Sequence, residues 1–211
     1  GVLGSMGPMA TVDFLAKVIE LTPASRDQDH LPLIVYSVPQ VPDRSASIVE
    51  GRESPLPAMI EGLRTLVRAG VECIAIPCNT AHHWYDDLAR ESSVPVLHMV
   101  DAAGAAIQRL GVPDGPVGLL ATAGTLAAGI YPTRLIRHGY ECMVPDDSDM
   151  EILVTPGIGL VKAGRTAEAE ELLRTAADNL LGRGARVVIL ACTEIPVALK
   201  DDDASEGRYV D

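Results

Sequence analysis

The sequence predicts an α/β protein made of two similar domains, each with a parallel sheet, related by a pseudo-twofold axis. Short apolar runs alternate with amphipathic stretches along the 211 residues, a pattern typical of strand–helix units. Aromatic residues make up only 3% of the chain, so we expect an aliphatic core, as in parallel strands buried on both faces. Segments of the two halves also resemble each other. We therefore expect the functional site in the cleft between the domains.

The predicted elements follow from the spacing of the apolar residues. Continuous apolar runs bounded by turn residues predict strands at 1–5, 31–37, 73–77, 94–99, 117–122 and 186–191. Apolar residues at helical spacing predict helices at 14–21, 57–69, 102–110, 131–138 and 166–181. The alternation of the two kinds of element favours parallel pairing with crossover helices.

Two pairs of segments indicate an internal duplication. Residues 1–5 match residues 118–122 at an offset of 117, and residues 70–78 match residues 184–192 at an offset of 114. Nearly equal offsets indicate a repeated α/β unit. We expect a first domain of residues 1–99 plus 207–211 and a second of residues 100–206, with a polar acidic loop at 201–207. Because the chain opens and closes in strand-like sequence, we expect both ends to be trimmed.

Charge and cysteine content exclude several classes of function. The net charge is −12 and no Lys/Arg-rich block occurs, which disfavours nucleic-acid and anionic-membrane partners. The four Cys form no CxxC motif, and His82 and His83 are adjacent rather than spaced as metal ligands. No apolar stretch reaches the roughly 18 residues of a membrane span. We expect a cytoplasmic protein without a metal.

Cys78 and Cys192 are the residues most suited to chemistry. Each follows a predicted strand, lies just before a predicted helix start and precedes polar residues, so a thiolate there would meet free backbone N–H groups. Two such thiols in equivalent positions suggest an acid and a base facing one substrate from opposite sides. The alternatives are two small buried hydrophobes, which is our expectation for Cys73, or a reversible redox pair.

Five motifs together resemble the aspartate/glutamate racemase family, specifically its cofactor-independent aspartate racemase branch. They occur in the family's order and span nearly the whole chain: GVLGSMGPMAT, PQVPDRS, IPCNTAH, LVKAG and ACTEIP. The opening motif lacks the Asp-Ser-Gly type sequence of the glutamate racemase branch. Two positions depart from the family pattern: Ser5 stands where a second glycine is common, and Ser45 where Thr is usual.

The resemblance implies a racemase that needs no pyridoxal phosphate or other cofactor. One catalytic cysteine, Cys78 or Cys192, removes the α-proton of an acidic amino acid, aspartate or glutamate, and the other returns a proton to the opposite face. Arg44 would grip the side-chain carboxylate, with Lys162 alongside it. The full expected substrate-binding set is Met6, Gly7, Arg44, Asn79, Thr80, Thr122, Lys162, Thr193 and Glu194. Family members are commonly dimeric, so we expect a homodimer.

Three other functions fit the same residues. A related two-cysteine enzyme would isomerise another acidic substrate, such as maleate. A non-catalytic protein would bind an acidic amino acid in the same cleft without exchanging its α-proton. A redox-regulated protein would join Cys78 and Cys192 in a disulfide. These alternatives are separated by α-proton exchange, by the effect of replacing Arg44 and by mass spectrometry under mild oxidation.

Overall fold

The computed structural model describes residues 1–200 and 207–211. Within these ranges the strands are β1 (Val2–Gly4), β2 (Val35–Ser37), β3 (Pro116–Ala121), β4 (Glu141–Met143), β5 (Val188–Ala191) and β6 (Tyr209–Val210). The helices are α1 (Pro8–Leu21), α2 (Arg44–Glu50), α3 (Leu56–Arg68), α4 (Tyr85–Glu91), α5 (Met99–Arg109), α6 (Ala123–Ala128), α7 (Ile130–Leu135), α8 (Asp147–Asp149), α9 (Thr155–Lys162), α10 (Thr166–Gly182) and α11 (Ile195–Ala198). A π-helical turn, Met150–Val154, joins α8 to α9, and 3₁₀ turns cover Asp27–Asp29, Thr80–Trp84 and Ile136–His138.

The strands form two parallel sheets, which confirms the predicted α/β class. One sheet has the order β4-β3-β5-β6, and every pair in it is parallel. In the other sheet β1 pairs with β2 on one side, and Val2 bridges to Ala75 on the other. Ile74 then bridges to Val96, again in parallel, so the predicted strands at 73–77 and 94–99 are present as single paired residues. Both sheets therefore follow one strand order.

The pairing of the strands supports the internal duplication. The offsets of 117 and 114 carry the pair Val2 and Ala75 onto Leu119 and Ile189, which pair in the second sheet. The later bridge from Ile74 to Val96 corresponds in the same way to the pairing of β5 with β6. We call residues 1–98 the first repeat and residues 99–200 with 207–211 the second repeat.

The carboxyl-terminal segment lies in the second sheet, which corrects one part of the expected domain division. We assigned 207–211 to the first domain, but Tyr209 pairs with Val188 and Val210 with Ile189. The physical reason is the duplication itself: the first sheet already has its fourth member at Val96, and the second sheet completes the same order with β6. The predicted loop at 201–207 lies outside the described residues except for Gly207.

Helices cover both faces of the second sheet. Leu173 and Leu180 of α10 are buried against one face, and Ile107 of α5 and Leu135 of α7 are buried against the other. Helices α3 and α4 bury an apolar cluster, including Leu63, against the first sheet. Burial on both faces explains the continuous aliphatic strands of the sequence.

The predicted helices lie in the right parts of the chain, but some begin or end at other residues than predicted. Helices α3 and α10 reproduce the predicted ranges within one residue, whereas α1 begins at Pro8 rather than at residue 14, because proline suits the first helical turn.

Cys73 is exposed, contrary to expectation, since pairing in its strand begins only at Ile74. In the described ranges no helix has both the length and the apolar character needed to cross a membrane.

Candidate active site

The carboxyl ends of four strand segments converge on one pocket. Met6 follows β1, Cys78 follows the paired segment at 74–75, Thr122 follows β3 and Cys192 follows β5. This is the edge at which parallel α/β sheets bind ligands. The pocket is lined by Met6, Asp43, Arg44, Ser45, Cys78, Asn79, Thr80, Thr122, Lys162, Cys192, Thr193 and Glu194. The structure thus brings together every predicted site residue except Gly7.

Cys78 lies in this pocket with Arg44, which can balance a thiolate charge. The thiol is buried, and burial raises its pKa above the ordinary value because the thiolate would lose its water. The positive charge of Arg44 acts in the opposite direction and lowers the pKa. Two backbone carbonyls orient the guanidinium: its Nη1 donates to Val41 at 3.3 Å and to Pro42 at 3.1 Å. Cys78 therefore has a fixed counter-ion.

Cys192 has the opposite kind of partner, a carboxylate. Its Sγ donates to Oε2 of Glu194 at 3.0 Å, and both side chains are buried. Burial raises the pKa of Cys192 well above the ordinary value, the charge of Glu194 and this hydrogen bond raise it further, and the charge of Lys162 lowers it. Cys192 is therefore held as a protonated thiol by its burial and by the neighbouring carboxylate of Glu194.

Hydroxyl groups link the two repeats at the pocket. Oγ1 of Thr80 lies 3.0 Å from Oγ1 of Thr122 and 2.8 Å from Oγ1 of Thr125. Oγ of Ser45 donates to Oγ1 of Thr122 at 3.3 Å. Helix α2 approaches α6 so closely that a Cβ on Gly124 would lie 2.7 Å from Cα of Ser45. These contacts hold Thr80 and the α2 segment against the second repeat.

Gly7 is not among the residues that line the pocket, although it adjoins the lining residue Glu194. It is the residue before the first turn of α1, and a Cβ there would lie 2.9 Å from Oε1 of Glu194. Glycine leaves room for the Glu194 carboxylate at this distance, whereas a larger residue would displace it. The neighbouring Ser5 has a φ of +67°, a left-handed conformation that favours glycine, and its N–H donates to Oγ1 of Thr11 at 2.7 Å. The glycine common at this position in the family would fit this backbone without strain.

Sequence reasoning missed several residues at the site. Asp43 lines the pocket and caps α2, because its Oδ1 accepts a hydrogen bond from the N–H of Ala46 at 2.7 Å. The Asp-Arg-Ser sequence was a usable signal for that cap, since Asp is a preferred N-cap residue. Ser45 and Thr125 join the hydroxyl cluster through packing between the repeats, which no local pattern predicts.

Cys73, Cys142, His82 and His98 are not among the residues that line the pocket. All four cysteines are free thiols in the structure, so Cys78 and Cys192 are not joined. His82 is buried, and its Nδ1 lies 2.8 Å from the carbonyl oxygen of Cys78. His98 is also buried, and its Nδ1 caps α5 by accepting from the N–H of Val100 at 3.2 Å. His82 therefore stabilises the chain around Cys78, and His98 stabilises the start of α5.

Comparison with known proteins identifies relatives along the whole chain. The family model described as Asp/Glu/Hydantoin racemase matches residues 3–210. The broad specificity amino-acid racemase RacX of Bacillus subtilis is 31% identical over an alignment covering 100% of this chain and 91% of that protein. The structure of Picrophilus torridus aspartate racemase is 33% identical, with a TM-score of 0.83 over 95% of this chain and 83% of that one. An aspartate racemase homologue from Pyrococcus horikoshii OT3 is 31% identical, with a TM-score of 0.74 over 95% of this chain and 88% of that one.

Proposed function

Because the chain belongs to the Asp/Glu/Hydantoin racemase family, we propose that it racemises aspartate or glutamate with two cysteines and without pyridoxal phosphate. The observation that carries this proposal is the placement of Cys78 and Cys192, one from each repeat, in the lining of a single pocket. Inversion at a carbon atom requires a base on one face and an acid on the other. Equivalent positions in the two repeats supply one thiol to each side.

The unlike partners of the thiols suggest how the proton moves. We assign the proton-accepting role to Cys78, because the charge of Arg44 favours its thiolate against the burial that raises its pKa, and the proton-donating role to Cys192, whose thiol donates to Glu194. The Cα–H bond breaks as Sγ of Cys78 takes the proton, and the electron pair passes into the α-carboxylate. The S–H proton of Cys192 then bonds to the opposite face of Cα. This reaction leaves Cys78 as the thiol and Cys192 as the thiolate, and in that state the enantiomer with its hydrogen toward Cys192 reacts in the reverse direction.

Charge developing on the α-carboxylate needs fixed donors, since no cofactor takes up the electrons. The polar residues that follow the two thiols, Asn79, Thr80 and Thr193, line the pocket and have the required hydrogen-bonding groups. Such groups stabilise the transition state best when the fold orients them beforehand. The hydrogen bonds of Thr80 to Thr122 and Thr125 provide that orientation on one side.

Two cations in the pocket favour a dicarboxylate substrate. Arg44 and Lys162 both line it, one from each repeat. Nε of Arg44 is buried and has no hydrogen-bond partner among the described residues, so a bound carboxylate would satisfy a donor that the fold leaves open. Similarity to RacX, a broad specificity enzyme, makes a wider set of amino acids the second candidate.

The test is incubation of the protein in deuterium oxide with each enantiomer of aspartate, glutamate and several neutral amino acids, and separately with maleate, with no cofactor added. We expect solvent deuterium at Cα of both enantiomers of an acidic substrate. Exchange only with neutral amino acids would favour the broader specificity. Binding of aspartate without exchange would favour a binding protein, and turnover of maleate in place of exchange would favour a related isomerase. We further propose a cytoplasmic homodimer, which cell fractionation and light scattering would check.

A further inference from the structure

A buried tyrosine of the second repeat contacts the residue that follows the first catalytic cysteine. Tyr131 lies in α7, and its hydroxyl donates to Oδ1 of Asn79 at 2.5 Å. Both side chains are 3% exposed. Asn79 follows Cys78 directly and lines the pocket, whereas Tyr131 stands outside it. No local sequence pattern connects these residues, which are 52 positions apart.

The direction of this hydrogen bond fixes the orientation of the Asn79 amide. Burial raises the pKa of the Tyr131 phenol far above its ordinary value, so the hydroxyl keeps its proton and must donate it. In its apolar cluster, with neighbours such as Ile107 and Leu135, that proton needs an acceptor. Oδ1 of Asn79 provides one. If the amide were turned over, Nδ2 would face the phenol oxygen and the phenol proton would lose this acceptor.

An amide whose oxygen is engaged presents its NH₂ group in the other direction. Asn79 then offers the pocket a donor and no acceptor. A donor beside Cys78 suits an anionic group, and in the proposed reaction the α-carboxylate gains negative charge as Cys78 removes the proton. The opposite orientation would place a carbonyl oxygen near that carboxylate and oppose the reaction.

We propose that Tyr131 is a positioning residue that holds Asn79 with Nδ2 directed at the substrate α-carboxylate. This inference rests on the proposed racemase function and deepens it. It makes a residue of the second repeat responsible for the donor next to the thiol of the first repeat. The group of residues around Cys78 is therefore complete only when both repeats are present, because α7 of the second repeat sets the orientation of the Asn79 amide.

The test is a double-mutant cycle of Tyr131→Phe and Asn79→Ala. Tyr131→Phe removes only the hydroxyl and keeps the ring in the core. We expect it to lower kcat by about tenfold to a hundredfold, the effect of weakening one hydrogen bond to a charged group, with a smaller change in KM. In the Asn79→Ala background the same change should alter kcat less than about twofold, because Tyr131 acts through the missing amide.

Tyr140→Phe is the matched control. Tyr140 is buried in the same apolar cluster, and its hydroxyl donates to the carbonyl oxygen of Val112 at 3.2 Å, away from the pocket. It should leave kcat unchanged while losing a comparable buried hydrogen bond. If the effects of Tyr131→Phe and Asn79→Ala on kcat simply multiply in the double variant, the proposal is overturned. A loss of kcat in Tyr140→Phe as large as that in Tyr131→Phe would overturn it too.

The same cycle measured on aspartate binding by calorimetry separates this inference from the proposed reaction. If the wild-type protein exchanges no α-proton, yet Tyr131→Phe and Asn79→Ala are coupled in the Kd for aspartate, the positioning role stands and the racemase function fails. If the wild-type protein racemises aspartate and the cycle shows no coupling in either readout, the function stands and the positioning role fails. Thermal unfolding of each variant establishes that the protein measured is folded.

Discussion

Gly124 provides a test of whether the contact between α2 and α6 sets the geometry of the site. A Cβ at this position would lie 2.6 Å from Oγ, 2.7 Å from Cα and 2.9 Å from Cβ of Ser45. Optimal contacts between carbon atoms are about 3.5–4.0 Å, so Gly124→Ala must push Ser45 back by roughly 0.8 Å or more. A backbone atom cannot turn aside as a flexible side chain can. Arg44, the neighbour of Ser45 in the chain, must move with it.

This displacement should lower both activity and stability. Misplacing a catalytic group by about 1 Å can cost about a hundredfold in rate, so we expect a loss of that order in kcat/KM for aspartate. Overpacking costs about 1–3 kcal/mol, whereas alanine in place of a helical glycine gains about 0.5–1 kcal/mol, so the overpacking wins. On these two figures the free energy of unfolding should fall by up to about 2.5 kcal/mol, and by about 1 kcal/mol at the middle of both ranges.

The measurements are racemisation kinetics and denaturant unfolding, with Gly182→Ala as the control. Gly182 ends α10, and in the part of the chain that the structure describes no atom outside its own turn of helix lies within 4 Å of an added Cβ. That variant should keep wild-type kinetics and unfold at the same or a slightly higher denaturant concentration. A folded Gly124→Ala protein with wild-type kcat/KM would refute the reasoning, because α2 could then move without disturbing the site.

Three further changes test the electrostatics. Glu194→Gln removes a charge that raises the pKa of Cys192, so alkylation of that thiol should reach its half-maximal rate at lower pH. Racemisation should fall about a hundredfold. An unchanged pH profile of alkylation would contradict the effect of Glu194 on the Cys192 thiol. Arg44→Lys keeps the charge but loses the planar fork, so calorimetry should show aspartate binding weakened about tenfold, and wild-type affinity would argue against a carboxylate grip. Burial lowers the pKa of His98 to about 3, so its contribution to stability is complete above its unfolded pKa of about 6.5 and is lost as pH falls toward 3. His98→Asn retains a capping acceptor for α5, so it should reduce the fall in melting temperature between neutral and acid pH. The control is His83→Asn, a change at an exposed histidine, which should not reduce that fall. The same dependence of melting temperature on pH in both variants would contradict this reasoning.

The fold and most of the pocket could be predicted because their signals are local. Apolar runs mark buried parallel strands, and the carboxyl ends of such strands meet at one edge of a sheet. Residues just after the runs, such as Cys78, Thr122 and Cys192, therefore had to come together if the duplication was real. The equivalence of the pair Val2 and Ala75 with the pair Leu119 and Ile189 shows that the sequence offsets reflect strand pairing.

What the sequence could not predict depends on packing between distant segments. The attachment of β6 to β5 was missed because a two-residue strand carries almost no pattern of its own. Tyr131 reaches Asn79 only because α7 packs beside the first repeat, and as a buried aromatic on a helix it resembles any core residue. The orientation of each thiol's partner, Arg44 or Glu194, also arises from side-chain geometry and not from spacing.

The most direct test of the account is chiral chromatography of aspartate incubated separately with the wild-type protein, Cys78→Ser and Cys192→Ser, from each enantiomer in turn. The account predicts that the wild-type protein converts both enantiomers, and that each substitution slows conversion in both directions by at least about a hundredfold. Cys142→Ser, a change at a partly buried cysteine that does not line the pocket, should racemise aspartate as the wild type does. Wild-type conversion by either Cys78→Ser or Cys192→Ser would contradict the claim that the two thiols serve opposite faces of one substrate.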